Sequence, residues 1–383
     1  MKYCVWIKNA RIVDPSRGID GTGDILTADN KIVPFDSRTA EQATDVLDAA
    51  GCLAVPGLID FHAHLARGMS DHGVHPDVMG LPNGITAAVD AGSLGTAGVE
   101  AFIRNVVASS EMTLRCYMHV AAIGVTTGVY QENPDPALYD RDSIRYLLER
   151  FPGDIIGLKL RMGKTFSDGL GLAPLVAAKE ISRQLGQPLC LHLRELTEFT
   201  YGEALGHLGA GDVLCHFYQA LGGHSLLDPS GKVSPAFREA RSRGVLFDSA
   251  VAMSNHDLTV MRKAFDDGFY PDLLGTDVVL KSVYRGRTFG LPYVMSKHLA
   301  LGMPLAGVIR ACTQTAARLM GLEGKIGTLR PGANADIAIL KIREKPMSFQ
   351  DNYGNVVQGS ELLLPQVTIK NGRVVYKRIE FDL

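Results

Sequence analysis

The sequence carries no excess of charge of either sign. Its 39 lysine and arginine residues nearly balance 41 aspartate and glutamate residues, which leaves a formal net charge of −2. Proteins that bind nucleic acid present a broad basic field on their surface. We therefore expect no nucleic-acid partner.

Long apolar runs are missing as well. No stretch of the sequence approaches the about 20 consecutive apolar residues that a membrane-spanning helix needs. The segment 1–8 is too short, and too interrupted by charge, to resemble a secretory signal peptide. We therefore expect a cytoplasmic protein without a membrane partner.

Cysteine pairs with the Cys-x-x-Cys spacing are also absent. Widely separated cysteines in a chain of 383 residues are typical of reduced core residues rather than of a disulfide framework. Cys190 lies two residues before His192 and could face the interior of a barrel, although packing in the core is the simpler role. The six cysteines are Cys4, Cys52, Cys116, Cys190, Cys215 and Cys312.

The chain does contain a regular alternation of β-prone and helical segments. Alternating strands and helices predict parallel βα units. Eight such units predict an α/β fold, the (β/α)8 TIM barrel, with its active site at the carboxyl ends of the strands. The predicted strands are 58–64, 85–90, 114–121, 155–161, 188–193, 213–218, 245–249 and 273–277, and the clearest helices are 142–151, 172–185, 235–243 and 257–267.

Six chemically active side chains fall at or near the ends of five of these strands. His62 and His64 alternate along the first strand, so both project to the same face and can bind one ion. Scattered core or surface polar residues would share this placement only by chance. Together the six offer the donors for two divalent metals; the other four are Lys159, His192, His216 and Asp277.

Lys159 lies within the apolar run 154–160, where burial of an unpaired charge is costly. A solvated or salt-bridged lysine is the alternative. Arg161 follows two residues later on the same face, where it could anchor a substrate carboxylate or form a structural salt bridge. Asp60 shares the parity of His62 and could orient a metal ligand or cap a polar layer.

Two loops could add to the site, because the loops that follow barrel strands carry function. His72 and His75 lie in one of them, although isolated loop histidines are usually solvated. The segment 249–256 follows the seventh strand and could touch the substrate.

Both ends of the chain predict a second domain. The segments 7–13 and 369–375 echo each other, and each predicts two strands joined at a tight turn, with Asn371-Gly372 a strong hairpin signal. Hairpins from the two ends could pack in a small β-sandwich beside the barrel. The predicted domains are 1–55 together with 322–383 for the β-sandwich, and 56–321 for the barrel.

These motifs resemble the amidohydrolase superfamily. The matching branch has a carboxylated lysine and includes dihydroorotases, hydantoinases and N-acetyl or O-acetyl hydrolases. The resemblance covers essentially the whole chain, and its first motif, Pro-Gly-Leu-Ile-Asp-Phe-His-Ala-His, is the most specific. The motifs that carry it are 56–64, 157–161, 191–195, 214–216 and 275–277.

The resemblance implies a binuclear metal centre. The amine of Lys159, carboxylated by CO2, would bridge the two ions, because a carbamate is an anion with two oxygen donors whereas an ammonium would be repelled. Zinc is the first choice, and manganese or iron would suit the same donors. The implied ligands are His62, His64 and Asp277 for the more buried ion, and His192 and His216 for the second.

We therefore predict a hydrolase that cleaves an amide, or an ester, of a small acylated acid such as an N-acetyl amino acid or an acetylated hydroxy acid. Asp277 would carry a proton from the attacking water to the leaving group, or serve as a ligand alone. The resemblance also implies association into homo-oligomers.

Two alternatives stay open. The first is a cyclic amide hydrolase such as a dihydroorotase or a hydantoinase. Dihydroorotases typically carry an arginine two residues after the second histidine, where this chain has Ala66, with Arg67 one residue later. The second is a catalytically inactive barrel that serves as an assembly protein, and the presence of all six ligands argues against it.

Overall fold

The computed structural model of the chain describes residues 4–221, 224–251, 255–285 and 290–381, which fold around two β-sheets. One sheet has seven parallel strands. The other is mostly antiparallel and is built from both ends of the chain. Within the described ranges, no helix has the length and apolar character that crossing a membrane would require.

The strands were numbered in chain order. They are β1 (Val5–Asp14), β2 (Ile19–Ala28), β3 (Lys31–Val33), β4 (Asp45–Asp48), β5 (Leu53–Pro56), β6 (Leu58–Ala63), β7 (Ile85–Asp90), β8 (Thr113–His119), β9 (Ile155–Met162), β10 (Leu189–Leu193), β11 (Val213–Cys215), β12 (Leu246–Asp248), β13 (Ile337–Gln350), β14 (Val356–Lys370) and β15 (Arg373–Lys377).

The helices alternate with the parallel strands, as the sequence predicts. They are α1 (Ser37–Ala40), α2 (Pro76–Gly80), α3 (Val99–Asn105), α4 (Arg141–Arg150), α5 (Lys164–Ser167), α6 (Ala173–Gln184), α7 (Tyr201–Gly206), α8 (Pro235–Ser242), α9 (Leu258–Asp266), α10 (Leu280–Tyr284), α11 (Leu291–Ala300), α12 (Leu305–Ala311) and α13 (Gln314–Leu319).

The parallel sheet runs from β6 to β12 in sequence order. Every residue of β6, β7 and β10 is buried, as expected for parallel strands that are covered on both faces. The predicted α/β barrel fold is confirmed, and seven of the eight predicted strands lie within a few residues of their predicted positions.

The eighth predicted strand, 273–277, is not a continuous strand. Its ends form single parallel bridges, Leu273 with Asp248 and Val278 with Ala63, which close the gap between β12 and β6. Between them, Asp277 has a left-handed φ of 48°, and the Thr276 N–H donates to the Asp60 carboxylate at 3.0 Å rather than to the backbone of a neighbouring strand. The prediction was right about where this segment lies and wrong about its regularity.

The terminal sheet has the order β15-β14-β13-β5-β1-β2-β3, with β4 paired to β1. Strands from the two ends of the chain meet where β13 pairs antiparallel with β5. Apolar residues from both ends, including Ile7 and Ile337, share one buried cluster. A second unit built from both chain ends is therefore confirmed, whereas its boundaries at 1–55 and 322–383 stay predictions.

The two echoing segments fold differently. Segment 369–375 is a hairpin whose turn residues, Asn371 and Gly372, have φ of 49° and 77°, as a two-residue hairpin turn requires. Segment 7–13 lies within the single strand β1, so the prediction of a hairpin there was wrong. The positive φ of Asn9 (59°) instead produces a register shift between Ile7 and Ala10.

Candidate metal centre

The six candidate ligands converge at the carboxyl ends of the parallel strands. His62 belongs to β6, Lys159 to β9 and His192 to β10, and all of them are buried. The other three follow strand ends: His64 after β6, His216 after β11, and Asp277 at the eighth position of the ring.

Three of the six residues form a compact set of donors. Ligating atoms of His62, His64 and Asp277 lie within 4.8 Å of one another, a spacing at which one ion could be held. His64 Nε2 lies 3.3 Å from Asp277 Oδ1, and His62 Nε2 lies 3.8 Å from the same oxygen. This is the set that the sequence assigns to the more buried metal.

The histidines assigned to the second metal lie on the adjoining side. The ring centroids of His192 and His216 are 4.5 Å apart, and those of His216 and His62 are 4.7 Å apart. His192 Nε2 is buried, and no described residue hydrogen-bonds to it. A second donor group, unexpected from the sequence, joins Cys215 to His62 and His216 within 4.8 Å.

Lys159 is 1% exposed and has unusual surroundings. Its ammonium contacts two thiols, Cys215 Sγ at 3.2 Å and Cys190 Sγ at 3.5 Å. No described carboxylate lies within ion-pair distance of it, that is, within 4.0 Å. Cys190 is buried, as predicted, and its thiol also contacts Lys159, the candidate bridging residue.

Each of three histidines is oriented through its Nδ1 atom. His62 Nδ1 lies 2.7 Å from Asp248 Oδ2, His64 Nδ1 lies 2.8 Å from Ser93 Oγ, and His216 Nδ1 lies 2.8 Å from the carbonyl oxygen of Ala250. A partner at Nδ1 directs Nε2 toward the centre and leaves its lone pair available.

The pKa shifts of the imidazoles and of the carboxylate favour the protonation states that bind metal. Burial, followed by Lys159 for His62 and by His216 for His192, lowers the pKa of both rings and favours the neutral state, which binds metal. Burial alone would raise the pKa of Asp277, but three surrounding imidazoles, His216 foremost, hold it below the ordinary carboxyl value. Asp277 is therefore an anion.

Two of the candidate ligands have a backbone conformation that non-glycine residues seldom adopt. The φ angles of His216 and Asp277 are 59° and 48°. Such left-handed residues at strand ends cost energy and cluster at functional sites. The turn at His216 also explains why β11 ends at Cys215 although the sequence predicts a strand as far as 218.

Asp60 does not touch a candidate metal ligand's side chain. Its carboxylate accepts the Thr276 hydroxyl at 2.6 Å and the His62 backbone N–H at 3.3 Å. It therefore ties β6 to the segment that carries Asp277, and orients the backbone of the site rather than a ligand ring.

An open cavity lies over the six candidate ligands, and its volume is about 760 Å³ when the open solvent at its mouth is included; we call it the central cavity. Arg161, the predicted substrate anchor, lines it, as does His72 from the first predicted loop, whereas His75 does not. From the second predicted loop, Asn255 lines the cavity and its Nδ2 donates to Asp277 Oδ2 at 3.3 Å. Residues 252–254 of that loop lie outside the described ranges.

Sequence reasoning missed several residues of the site. Asp248 ends β12, and its position resembles that of the predicted ligands, but nothing local indicates that it contacts His62. Arg194 also lines the central cavity. The sequence does contain a signal for Arg194, because Arg194 follows His192 by two residues just as Arg161 follows Lys159.

Comparison with known protein sequences agrees with this geometry. A family model described as the amidohydrolase family matches residues 53–375. A deacetylase from Brucella anthropi is 27% identical over 353 residues, which cover 91% of this chain and 87% of that protein. A dihydroorotase from Syntrophotalea carbinolica is 51% identical, but over 63 residues that cover 16% of this chain and 14% of that one.

Solved structures have the same fold. A crystal structure of an adenine deaminase has a TM-score of 0.88 at 24% identity and covers 98% of this chain and 100% of its own. A crystal structure of a dihydroorotase has a TM-score of 0.85 at 24% identity and covers 98% of this chain and 99% of its own. At this identity the likeness concerns the fold alone.

Proposed function

The chain belongs to the amidohydrolase family, and from that premise we propose that it is a metal-dependent hydrolase that removes the acyl group from a small acylated carboxylic acid. The observation that carries the proposal is the convergence of His62, His64 and Asp277, whose ligating atoms lie within 4.8 Å of one another at the strand ends. The substrate class is N-acetyl amino acids or acetylated hydroxy acids. The family alone makes the chain a hydrolase; the substrate is the part that we propose.

The donor set fits two divalent ions. His62, His64 and Asp277 would hold one, and His192 with His216 would hold the other. The buried Nε2 atom of His192, which lacks a partner in the described part of the chain, supports this assignment. When bound, zinc ions at such a centre act as Lewis acids that polarise a carbonyl group and acidify water.

Lys159 supports a carboxylated amine. A buried ammonium flanked by two thiols has poor compensation for the loss of solvation. The carbamate formed with CO2 is instead an anion with two oxygen donors, suited to a position among neutral imidazoles. We therefore propose that carboxylated Lys159 would supply oxygen donors to the two ions.

Asp277 would carry the proton. Its anionic carboxylate can accept a proton from the attacking water and pass it to the departing nitrogen or oxygen of the substrate. Asn255, which donates to Asp277 Oδ2 at 3.3 Å, keeps that oxygen turned toward the central cavity.

The alignments favour this substrate class over a cyclic amide. The deacetylase from Brucella anthropi matches across 91% of the chain, whereas the dihydroorotase from Syntrophotalea carbinolica matches across 16%. Ala66 also stands where dihydroorotases typically carry an arginine. The inactive assembly barrel is disfavoured, because burying a cluster of polar side chains costs free energy. A chain that keeps all six ligands despite this cost is expected to use them.

A substrate panel tests the proposal. The purified enzyme, grown with zinc, would be assayed with N-acetyl-D-amino acids, N-acetyl-L-amino acids, O-acetyl hydroxy acids and dihydroorotate. We expect turnover of at least one acetylated acid, and loss of that turnover in the Asp277→Asn variant. Turnover of dihydroorotate alone would make the cyclic amide hydrolase correct, and no turnover by metal-loaded protein would favour the assembly protein.

A further inference from the structure

We infer that Arg161 and Arg194 form a two-arginine subsite that binds the carboxylate of the substrate, and that Glu132 positions Arg161 in it. This inference rests on the proposed function, which it deepens by naming the group that selects the acid half of the substrate. Neither Arg194 nor Glu132 is among the candidate metal ligands.

The two arginines come from neighbouring strands, and each follows a candidate ligand by two residues. The strand register places Arg161 beside His192 and Arg194 one pleat further along. Arg161 follows Lys159 on β9, and Arg194 follows His192 at the end of β10, each by two residues. Because side chains alternate along a strand, each arginine points to the same face as its candidate ligand, one pleat nearer the mouth. Both arginines line the central cavity.

Arg161 is held in a fixed orientation. It forms an ion pair with Glu132, in which Nε lies 3.1 Å from Oε1 without hydrogen-bond geometry, and its guanidinium lies over the ring of Phe166, 4.0 Å from the ring centroid. No described residue accepts a hydrogen bond from its terminal nitrogens. An arginine held by an ion pair and an aromatic ring, with free terminal nitrogens, is prepared to donate to a carboxylate.

Glu132 is suited to positioning rather than to chemistry. It is 2% exposed and lies behind Arg161, outside the lining of the central cavity. The same oxygen, Oε1, also lies 3.6 Å from His119 Nε2. Burial would raise the pKa of Glu132, but His119 and Arg161 lower it below the ordinary value, so the residue is an anion.

Arg194 has no such counter-charge. Within the described ranges, no carboxylate lies within 4.0 Å of its guanidinium, and its buried Nε atom has no hydrogen-bond partner. Its backbone is fixed by a hydrogen bond from Arg194 N to Met162 O at 3.1 Å. The backbone of Arg194 also passes very close to Gly163 (φ 134°). A Cβ atom at position 163 would lie 1.7 Å from the Arg194 carbonyl oxygen.

The charge balance of the central cavity points to an anionic ligand. Asp277 is the one acid among the described lining residues, and it belongs to the candidate metal centre. The basic lining residues include Lys281 as well as both arginines. With Glu132 compensating Arg161, the positive charge of Arg194 remains for a ligand, and a carboxylate is the anion that an acylated acid brings.

Binding of an inert analogue tests the subsite without relying on turnover. The probe is N-methanesulfonylalanine, both enantiomers, whose sulfonamide replaces the acetyl amide and is not hydrolysed; its carboxamide is the neutral comparison. Isothermal titration calorimetry would measure both ligands on the metal-loaded enzyme. We expect the wild type to bind the acid about 10- to 100-fold more tightly than the carboxamide.

The variants assign that preference to residues. Arg194→Leu should bring the acid-to-carboxamide ratio close to one without changing the metal content. Glu132→Gln should reduce the ratio while the unfolding midpoint of the protein stays within a few degrees. Arg183→Leu, on the exposed side of α6, is the matched control and should keep the wild-type ratio.

The outcomes separate the two claims. A wild type that binds neither ligand, or binds both equally, overturns the subsite, as does an Arg194→Leu variant that keeps the preference for the acid. An enzyme that hydrolyses no acetylated acid but retains the Arg194-dependent preference leaves the subsite intact and refutes the proposed reaction.

Discussion

Gly275 shows how little space separates the segment that carries Asp277 from β6. A Cβ atom at position 275 would lie 2.2 Å from the Cβ atom of His62 and 2.9 Å from its backbone nitrogen. Contacts of this length do not occur between real atoms, and the backbone of a buried strand cannot easily move away. The position of His62 thus depends on a residue that has no side chain.

We expect Gly275→Ala to displace His62 and weaken the metal centre. Overpacking of this kind costs about 1–3 kcal/mol of unfolding free energy. Metal content by mass spectrometry and urea unfolding would measure the two effects. Gly206→Ala, at the end of α7 with no atom within 4 Å of the new Cβ, is the control. It should change the unfolding free energy by no more than about 1 kcal/mol and should leave the metal content unchanged. Equal behaviour of the two variants would refute this account of Gly275.

Lys297 gives a second prediction at the residue scale, for stability against pH. It is 4% exposed on α11, and its Nζ lies 3.1 Å from His256 Nε2. Burial lowers the pKa of Lys297 to about 8, although Asp351 opposes the shift. Between that pH and the unfolded-state pKa of about 10.4, the unfolded chain holds one proton more than the folded chain. Unfolding free energy therefore rises with pH in this window.

Comparison with Lys297→Met isolates that contribution. The unfolding free energy of the wild type minus that of the variant should increase by about 1.5 kcal/mol between pH 8 and pH 9.5. The slope stays below the limit of about 1.4 kcal/mol for each pH unit, because Lys297 is only half deprotonated at pH 8. Urea unfolding at both pH values measures it. A difference that stays constant or falls would show that Lys297 titrates at its ordinary pKa.

Sequence predicts the candidate ligands better than it predicts their supporting residues. The alternation of His62 and His64 and the ends of strands are local properties, so they can be read from a short segment. Asp248 contacts His62 across 186 positions of the chain, and no local pattern specifies that pairing. Glu132 is likewise positioned by a long loop whose path the sequence does not specify.

At the scale of secondary structure, the hydrophobic pattern of the sequence determines where most strands and helices lie. The ends of some strands are instead determined by residues of the candidate site. The predicted helices 142–151 and 257–267 match α4 and α9 within one residue at each end. The eighth strand and the end of β11 differ from prediction because left-handed residues, Asp277 and His216, interrupt the pleat there. Such interruptions arise from tertiary contacts, so propensity alone does not reveal them.

The contact between β14 and β8 provides a prediction for the terminal sheet. Lys370 is 1% exposed, and its Nζ lies 2.7 Å from Asp336 Oδ2 and 2.8 Å from Thr113 Oγ1, at the first residue of β8. We expect Lys370→Met to cost about 3–5 kcal/mol of unfolding free energy, because it leaves the Asp336 carboxylate buried without its cation.

An exposed ion pair serves as the control for that measurement. Arg11 and Asp20 are 2.7 Å apart, and their side chains are 48% and 47% exposed. Arg11→Met should cost less than about 1 kcal/mol by urea unfolding. Similar costs for the two variants would mean that the buried pair stabilises the terminal sheet no more than an exposed pair does.

At the scale of the whole molecule, a nearly neutral chain concentrates positive charge in one cavity. The formal net charge is −2, yet the central cavity is lined by Arg161, Arg194 and Lys281 against one carboxylate side chain, that of Asp277. The parallel strands bring these residues together from distant parts of the sequence. The overall fold was predictable from the alternation of strands and helices, whereas this distribution of charge required the structure.

We propose that six residues of the barrel would hold two divalent ions, with carboxylated Lys159 among the donors. Metal content per chain, measured by mass spectrometry after growth in zinc-supplemented medium and dialysis, tests it most directly. We predict about two equivalents of divalent metal in the wild type and clearly fewer in Lys159→Ala. A wild type without metal, or a Lys159→Ala variant that retains both equivalents, would contradict it.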